Sequence, residues 1–224
     1  LDENIISPFY RTKSFSAKCT ELDLKLAGEF GILFRVYDEG VAYRFYTYKK
    51  QPIEVVDELA EFNFAEDYII YLAHSTNPKD PYSSAFQNLY AKSKISETSS
   101  LEAYLPATID LNNGQKATIL ESDLESYPGM YIQAGQGANK LKAVFAKLPA
   151  HTQYNTWRHQ QYVTERSAVI AQVEGSHSFP WRILAISDKD TEMPVNNMAY
   201  ALAAPNRIGD YSWVKPGKVA WEWW

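Results

Sequence analysis

The chain has 224 residues, 46% hydrophobic and 14% aromatic, with 22 Lys and Arg set against 27 Asp and Glu for a net charge of −5. The basic residues are dispersed among acidic ones, which leaves no stripe to neutralise a phosphate backbone and argues against a nucleic-acid partner. No apolar run reaches the roughly 18 to 20 residues that span a bilayer, and the single cysteine, Cys19, excludes an internal disulfide framework or a thiolate metal site.

Sixteen Tyr, ten Phe and six Trp favour pleated, half-buried surfaces, so the expectation is an all-β chain dominated by one large domain. Residues 21–26 read Glu-Leu-Asp-Leu-Lys-Leu, a period-2 alternation that predicts a half-buried strand with Leu22, Leu24 and Leu26 on one face. Two β-rich runs, Gly31 to Tyr37 and Val41 to Tyr48, flank Asp38-Glu39-Gly40 and predict a hairpin. Between Gln51 and Ala65 the spacing of Ile53, Val56 and Leu59 suits either a short helix or a strand-loop-strand. A buried strand follows over Tyr68 to His74, and Ser75 to Pro81 is dense in turn formers.

Further short strands are expected over Tyr90 to Ile95, Ala107 to Leu111 and Ala117 to Glu121, the last fed by a turn at Asn112 to Lys116. Pro128-Gly129 turns the chain into Met130 to Gln133, and the rhythm continues at Leu141 to Leu148, Ser167 to Val173 and Trp181 to Ser187. Short strands separated by turns predict a large antiparallel β-sandwich. Pro205 to Pro216, carrying Asn206, Gly209 and Asp210, reads as a linker. The run Val219 to Trp224 then places three Trp within four positions, which need a covering surface and predict the opening of a further domain.

Local chemistry is sparse. Cys19 and the pair Ser176-His177 are single members of nucleophilic arrangements without a nucleophile elbow, and His74, His151, His159 and His177 lack the helical pairing of a zinc site. Gly135-Gln136-Gly137-Ala138 lacks the strand-loop-helix frame of a dinucleotide loop and reads as a hairpin turn. The acidic stretch Glu121-Ser122-Asp123-Leu124-Glu125 is different, because its carboxylates sit where a strand runs out into a loop. That position suits either a solvated turn or a hard, oxygen-preferring cation.

Four segments together resemble glycoside hydrolase family 97: Glu-Ser-Asp-Leu-Glu-Ser-Tyr-Pro-Gly-Met at 121–130, Phe-Arg-Val-Tyr-Asp-Glu-Gly-Val-Ala-Tyr-Arg-Phe at 34–45, Pro-Trp-Arg at 180–182 and Trp-Val-Lys-Pro-Gly-Lys-Val-Ala-Trp-Glu-Trp-Trp at 213–224. The likeness runs over most of the chain. It implies an N-terminal β-sandwich over residues 1–204, able to lack strands that precede Leu1 in the family. A lead-in over 205–218 and the first strand of a catalytic (β/α)8 barrel over 219–224 would follow. It also implies that Glu121 reaches across the domain interface to help hold a Ca²⁺ ion, and that Trp221 and Glu222 on the first barrel strand contact an α-linked oligosaccharide. The matching catalytic carboxyls lie beyond Trp224, so no catalytic residue is expected here and the isolated piece is expected to be inactive.

The family holds retaining and inverting branches, and the form Lys-Val-Ala-Trp-Glu-Trp-Trp looks more like the α-galactosidase-like retaining members than the α-glucosidase-like ones. A periplasmic or extracellular location follows from the resemblance alone. Two other readings stay open: an independent carbohydrate-binding sandwich, which should present a row of exposed aromatics, and a purely structural interaction domain, in which Glu121 serves neither calcium nor sugar.

Overall fold

The computed structural model describes residues 1–6, 12–83, 87–215 and 217. β1 (Asp2–Ile6) pairs with the start of the long β2 (Ser14–Leu26), which pairs in turn with β3 (Phe30–Tyr37), and β3 with β4 (Gly40–Tyr48). The β3–β4 hairpin closes over Asp38-Glu39 as the turn residues require, and Gly40 sits at φ +142°. The stretch after it resolves as strand-loop-strand: β5 (Ile53–Val55) and β6 (Glu61–Asn63), followed by β7 (Ile69–His74) and β8 (Ala91–Lys94). Next come β9 (Ala103–Asp110), β10 (Lys116–Ser122), β11 (Met130–Ala134) and β12 (Lys140–Phe145), with the Gly135–Ala138 segment turning β11 into β12.

Among the described residues, β13 (Pro149–Asn155) and β14 (Gln160–Arg166) pair only with each other, as a ribbon that sequence patterning did not reveal. β15 (Ala171–Val173) pairs with β5; it is the only regular part of the strand expected over Ser167 to Val173. β16 (Ser176–Ser178) and β17 (Trp181–Ser187) both pair with β4, and a short helix α1 (Met198–Ala201) follows.

Among the described residues all the pairings are antiparallel, and thirteen strands join in one sheet along the path β1-β2-β3-β4-β17-β10-β9-β11-β12-β6, with β7 and β8 continuing from β9 and β16 on β4. The sheet closes over itself as a β-sandwich. Ile119 of β10, Ile109 of β9 and Ile70 and Leu72 of β7 meet Ile132 of β11 and Leu141 of β12 in one core from which water is excluded. Each such side chain contributes about 1.5 to 3 kcal/mol by burial.

β17 belongs to two cores. Leu184 and Ile186 pack against the sandwich interior, whereas Trp181, Ile183 and Ala185 face the other way with Ala42, Met198 and Leu202. That double burial explains its nearly unbroken apolar run. The alternation at Glu21 to Leu26 is present but the expected burial is not: Leu22, Leu24 and Leu26 are 53%, 39% and 44% exposed. β1 covers only the Ser14–Lys18 end of β2, so the Leu end has β3 on one edge and, among the described residues, no layer over its apolar face. The proposed barrel strand at 219–224, with Trp221 and Glu222, lies outside the described residues.

Candidate functional site

Glu121, Arg182 and Tyr43 are register partners on β10, β17 and β4, so their side chains stand side by side on the inner face of the sheet. Arg182 is the one charged residue of β17, in a run that is apolar up to Ser187, and its side chain is only 1% exposed with all three guanidinium nitrogens donating. Nε and Nη2 each donate at 2.7 Å to the two oxygens of Glu58, a fork-to-fork pair reaching from the β5–β6 connection. Nη1 donates at 2.8 Å to Oε2 of Glu121. The rings of Phe145 and Tyr127 lie 5.0 and 5.8 Å from its Cζ and shut out water.

The Glu121 oxygens are unequally used. Oε2 accepts from Arg182 and from the Met130 backbone N–H at 3.0 Å, while Oε1 accepts only a longer contact of 3.2 Å from that same N–H. Two carboxylates against one guanidinium leave the cluster with a formal charge of −1, and exposure grades outward from Arg182 through Glu58 at 6% to Glu121 at 17%. Burial raises the Glu121 carboxyl above its ordinary value, with Arg182 and the Met130 N–H pulling the other way. The Tyr127 hydroxyl is also pushed up by burial and by Glu58, and Tyr43 is raised to about 12 by burial first and Glu58 second.

The rest of the acidic stretch does other work. Asp123, at φ +61°, is no solvated turn residue: it accepts from Arg44 Nη2 at 2.9 Å and from the Ala204 backbone N–H at 3.2 Å, tying β4 to the chain after α1. Glu125 is half-exposed and pairs with Arg207. On the outer face of β17, Arg35 and Arg44 stack on Trp181 at 5.1 and 4.9 Å, beside an open groove of about 790 Å³. Trp181 and Arg182 alternate along the strand, so this groove and Glu121 lie on opposite faces of the sheet.

The carboxylate chemistry suits a hard cation, but one residue does not make a site. Ca²⁺ takes about six to eight oxygens, both Glu58 oxygens are committed to Arg182, and among the described residues no group of three or more His, Cys, Asp or Glu is disposed to hold a metal. Among these residues Glu121 can offer one donor oxygen, Oε1, and no more. His177 is stacked edge-on to Phe179, its pKa lowered by burial and by Arg44, and among the described residues its Nε2 has no hydrogen-bond partner. The sequence reading named Glu121, through the resemblance, but gave no role to Arg182 or Glu58, the partners that the fold places around it. The available signal was a lone arginine inside a buried apolar strand, which demands a carboxylate partner.

A family model described as glycosyl-hydrolase 97 N-terminal matches residues 1–205. The chain is 37% identical over an alignment of 231 residues to a retaining alpha-galactosidase of Bacteroides thetaiotaomicron, covering all of this chain and 35% of that protein. It is 27% identical to a probable retaining alpha-galactosidase of Streptomyces bingchenggensis, covering 99% of this chain and 32% of the other. Its fold is similar to that of a glycoside hydrolase family 97 enzyme from Pseudoalteromonas sp. strain K8 solved in complex with panose, at a TM-score of 0.74 and 19% identity, over 97% of this chain and 31% of that one. The chain thus spans about a third of the length of the curated relatives it matches.

Proposed function

Because the chain belongs to the glycosyl-hydrolase 97 N-terminal family, matched over residues 1–205, we propose that it is the β-sandwich of an exo-acting α-glycosidase, of α-galactosidase rather than α-glucosidase type, that buttresses a catalytic barrel and lends Glu121 to a calcium site. The α-galactosidase preference is supported by the names of the two curated relatives. In this reading the chain after Ala204 leads into the barrel, whose first strand carries Trp221 and Glu222 toward the sugar. The acid and the second carboxyl that glycoside hydrolysis needs belong to the barrel. The enzyme works in the periplasm or outside the cell.

The observation that carries the calcium reading is the state of the Glu121 carboxylate. It stands at the end of a rigid strand, one oxygen saturated and the other lightly used, in a cluster with surplus negative charge. A bound Ca²⁺ would supply fixed positive charge to hydroxyls and developing oxyanions in the active site. The chain's own part is to fix one donor oxygen and to keep its neighbours from competing: Asp123 is held by Arg44 and Ala204, and Glu58 by Arg182.

One observation favours the reading as an independent sugar-binding module: Tyr154, Trp157 and Tyr162 of the β13–β14 ribbon are 56%, 80% and 46% exposed. Their placement weakens it. Tyr154 pairs with Gln161 and Tyr162 with Gln153, so the two tyrosines point to opposite faces of the ribbon and form no common platform.

The test is hydrolysis of p-nitrophenyl α-galactoside and α-glucoside by the full-length parent, with calcium and with chelator, for native protein and Glu121→Gln. Calcium-dependent α-galactosidase activity that falls at least a hundredfold in the variant is expected. Activity and calcium affinity unchanged in the variant would leave Glu121 a surface carboxylate and the domain a scaffold.

A further inference from the structure

Resting on the calcium reading of Glu121, we infer that the buried Glu58–Arg182 pair is a positioning device that aims the Glu121 carboxylate and leaves the surplus negative charge of the cluster on it.

The first ground is geometry. A glutamate at a strand end has several rotamers, and ordering it costs conformational entropy when a ligand binds. Here the cost is met in advance. Arg182 cannot turn, since its Nε and Nη2 are both bound to Glu58 at 2.7 Å and its plane is covered by Phe145 and Tyr127. The remaining Nη1 points at Glu121 Oε2, and the Met130 N–H closes on the same oxygen from the loop side. Oε1 is left as the lightly occupied oxygen, beside the Gly129–Met130 turn.

The second ground is charge. An arginine needed only to staple the core would be neutralised by one carboxylate, and Glu58, with both oxygens engaged, already does this. A second carboxylate adds desolvation cost and repulsion that a staple has no use for. The surplus charge sits at the more exposed end of the row, where a cation from outside the sandwich could meet it. Partners that orient a metal ligand commonly govern affinity by roughly 10- to 100-fold without touching the metal.

Calcium affinity of the full-length parent, measured by calorimetry or chelator competition, decides the matter, with thermal unfolding in excess chelator as a separate readout. Arg182→Lys, which keeps the charge but lacks the planar fork that grips both Glu58 oxygens while a third nitrogen holds Glu121, is expected to weaken calcium binding by roughly 10- to 100-fold. Glu58→Gln, which keeps the shape but removes one negative charge and frees Arg182 to neutralise Glu121, is expected to weaken it several-fold. If Arg182→Lys does not fold, Glu58→Gln decides alone. Parent-like affinity in both variants, with only the unfolding temperature lowered, would make the pair a core staple and overturn the inference. Glu121→Gln separates the two claims. If that variant also binds calcium like the parent, the calcium reading itself fails. If it alone loses calcium, the reading stands and only the positioning role is lost.

Discussion

At the Glu121 carboxyl, burial outweighs the Arg182 guanidinium 2.8 Å away, and its pKa stands above the ordinary value of 4.5. Over the interval from that ordinary value up to the raised one, the folded chain holds a proton that the unfolded chain has released. The group's contribution to stability is therefore complete below the ordinary carboxylate value and is lost as pH rises through the raised one. In chelator-treated full-length protein, urea midpoints measured across this interval should decline more with rising pH for the native sequence than for Glu121→Gln. An equal or shallower decline in the native protein would contradict the burial argument. The acidic run at 121–125 was legible as a local signal after a strand, and it was the family resemblance that singled out Glu121 within it. Its partners were not, since Glu58 and Arg182 are 124 positions apart and only the folded sheet brings them together.

The β3–β4 hairpin is the element whose sequence speaks most directly, and Gly40 shows why. Its φ of +142° disfavours any side chain, and a Cβ there would lie 2.3 Å from the Leu184 carbonyl oxygen on β17 and 2.7 Å from Met198 Sδ. Gly40→Ala should destabilise by about 2 kcal/mol or more, because backbone strain adds to overpacking; an unchanged denaturation midpoint would show that β4 and β17 can separate at that point. Strands whose period and turns agree, such as Ala117 to Glu121 and Met130 to Gln133, were equally readable. The β13–β14 ribbon was not, because Gln153, Gln160 and Gln161 carry no apolar alternation. The Leu22, Leu24 and Leu26 stripe misled in another way. Period tells which residues share a face but not whether a second layer lies over it.

At the scale of the described chain, contacts cross from the sandwich to the segment after it. Asp123 joins Arg44 on β4 to the Ala204 N–H, and α1 seals the second core with Met198 and Leu202. Asp123→Ala leaves Arg44 without its carboxylate and the 203–207 segment without its anchor. Hydrogen exchange at these residues should accelerate by at least tenfold, while the amides of β9 and β10 stay protected; unchanged exchange at 203–207 would mean that α1 packing alone holds the segment. β17 stands at the centre of this arrangement, with one face in each core. A strand so placed has no neutral side on which mutations can accumulate. Under random mutagenesis with selection for soluble expression, Trp181 to Ser187 should be among the stretches poorest in accepted changes, with Pro149 to Arg166 among the richest, so that drift among relatives is channelled into the ribbon.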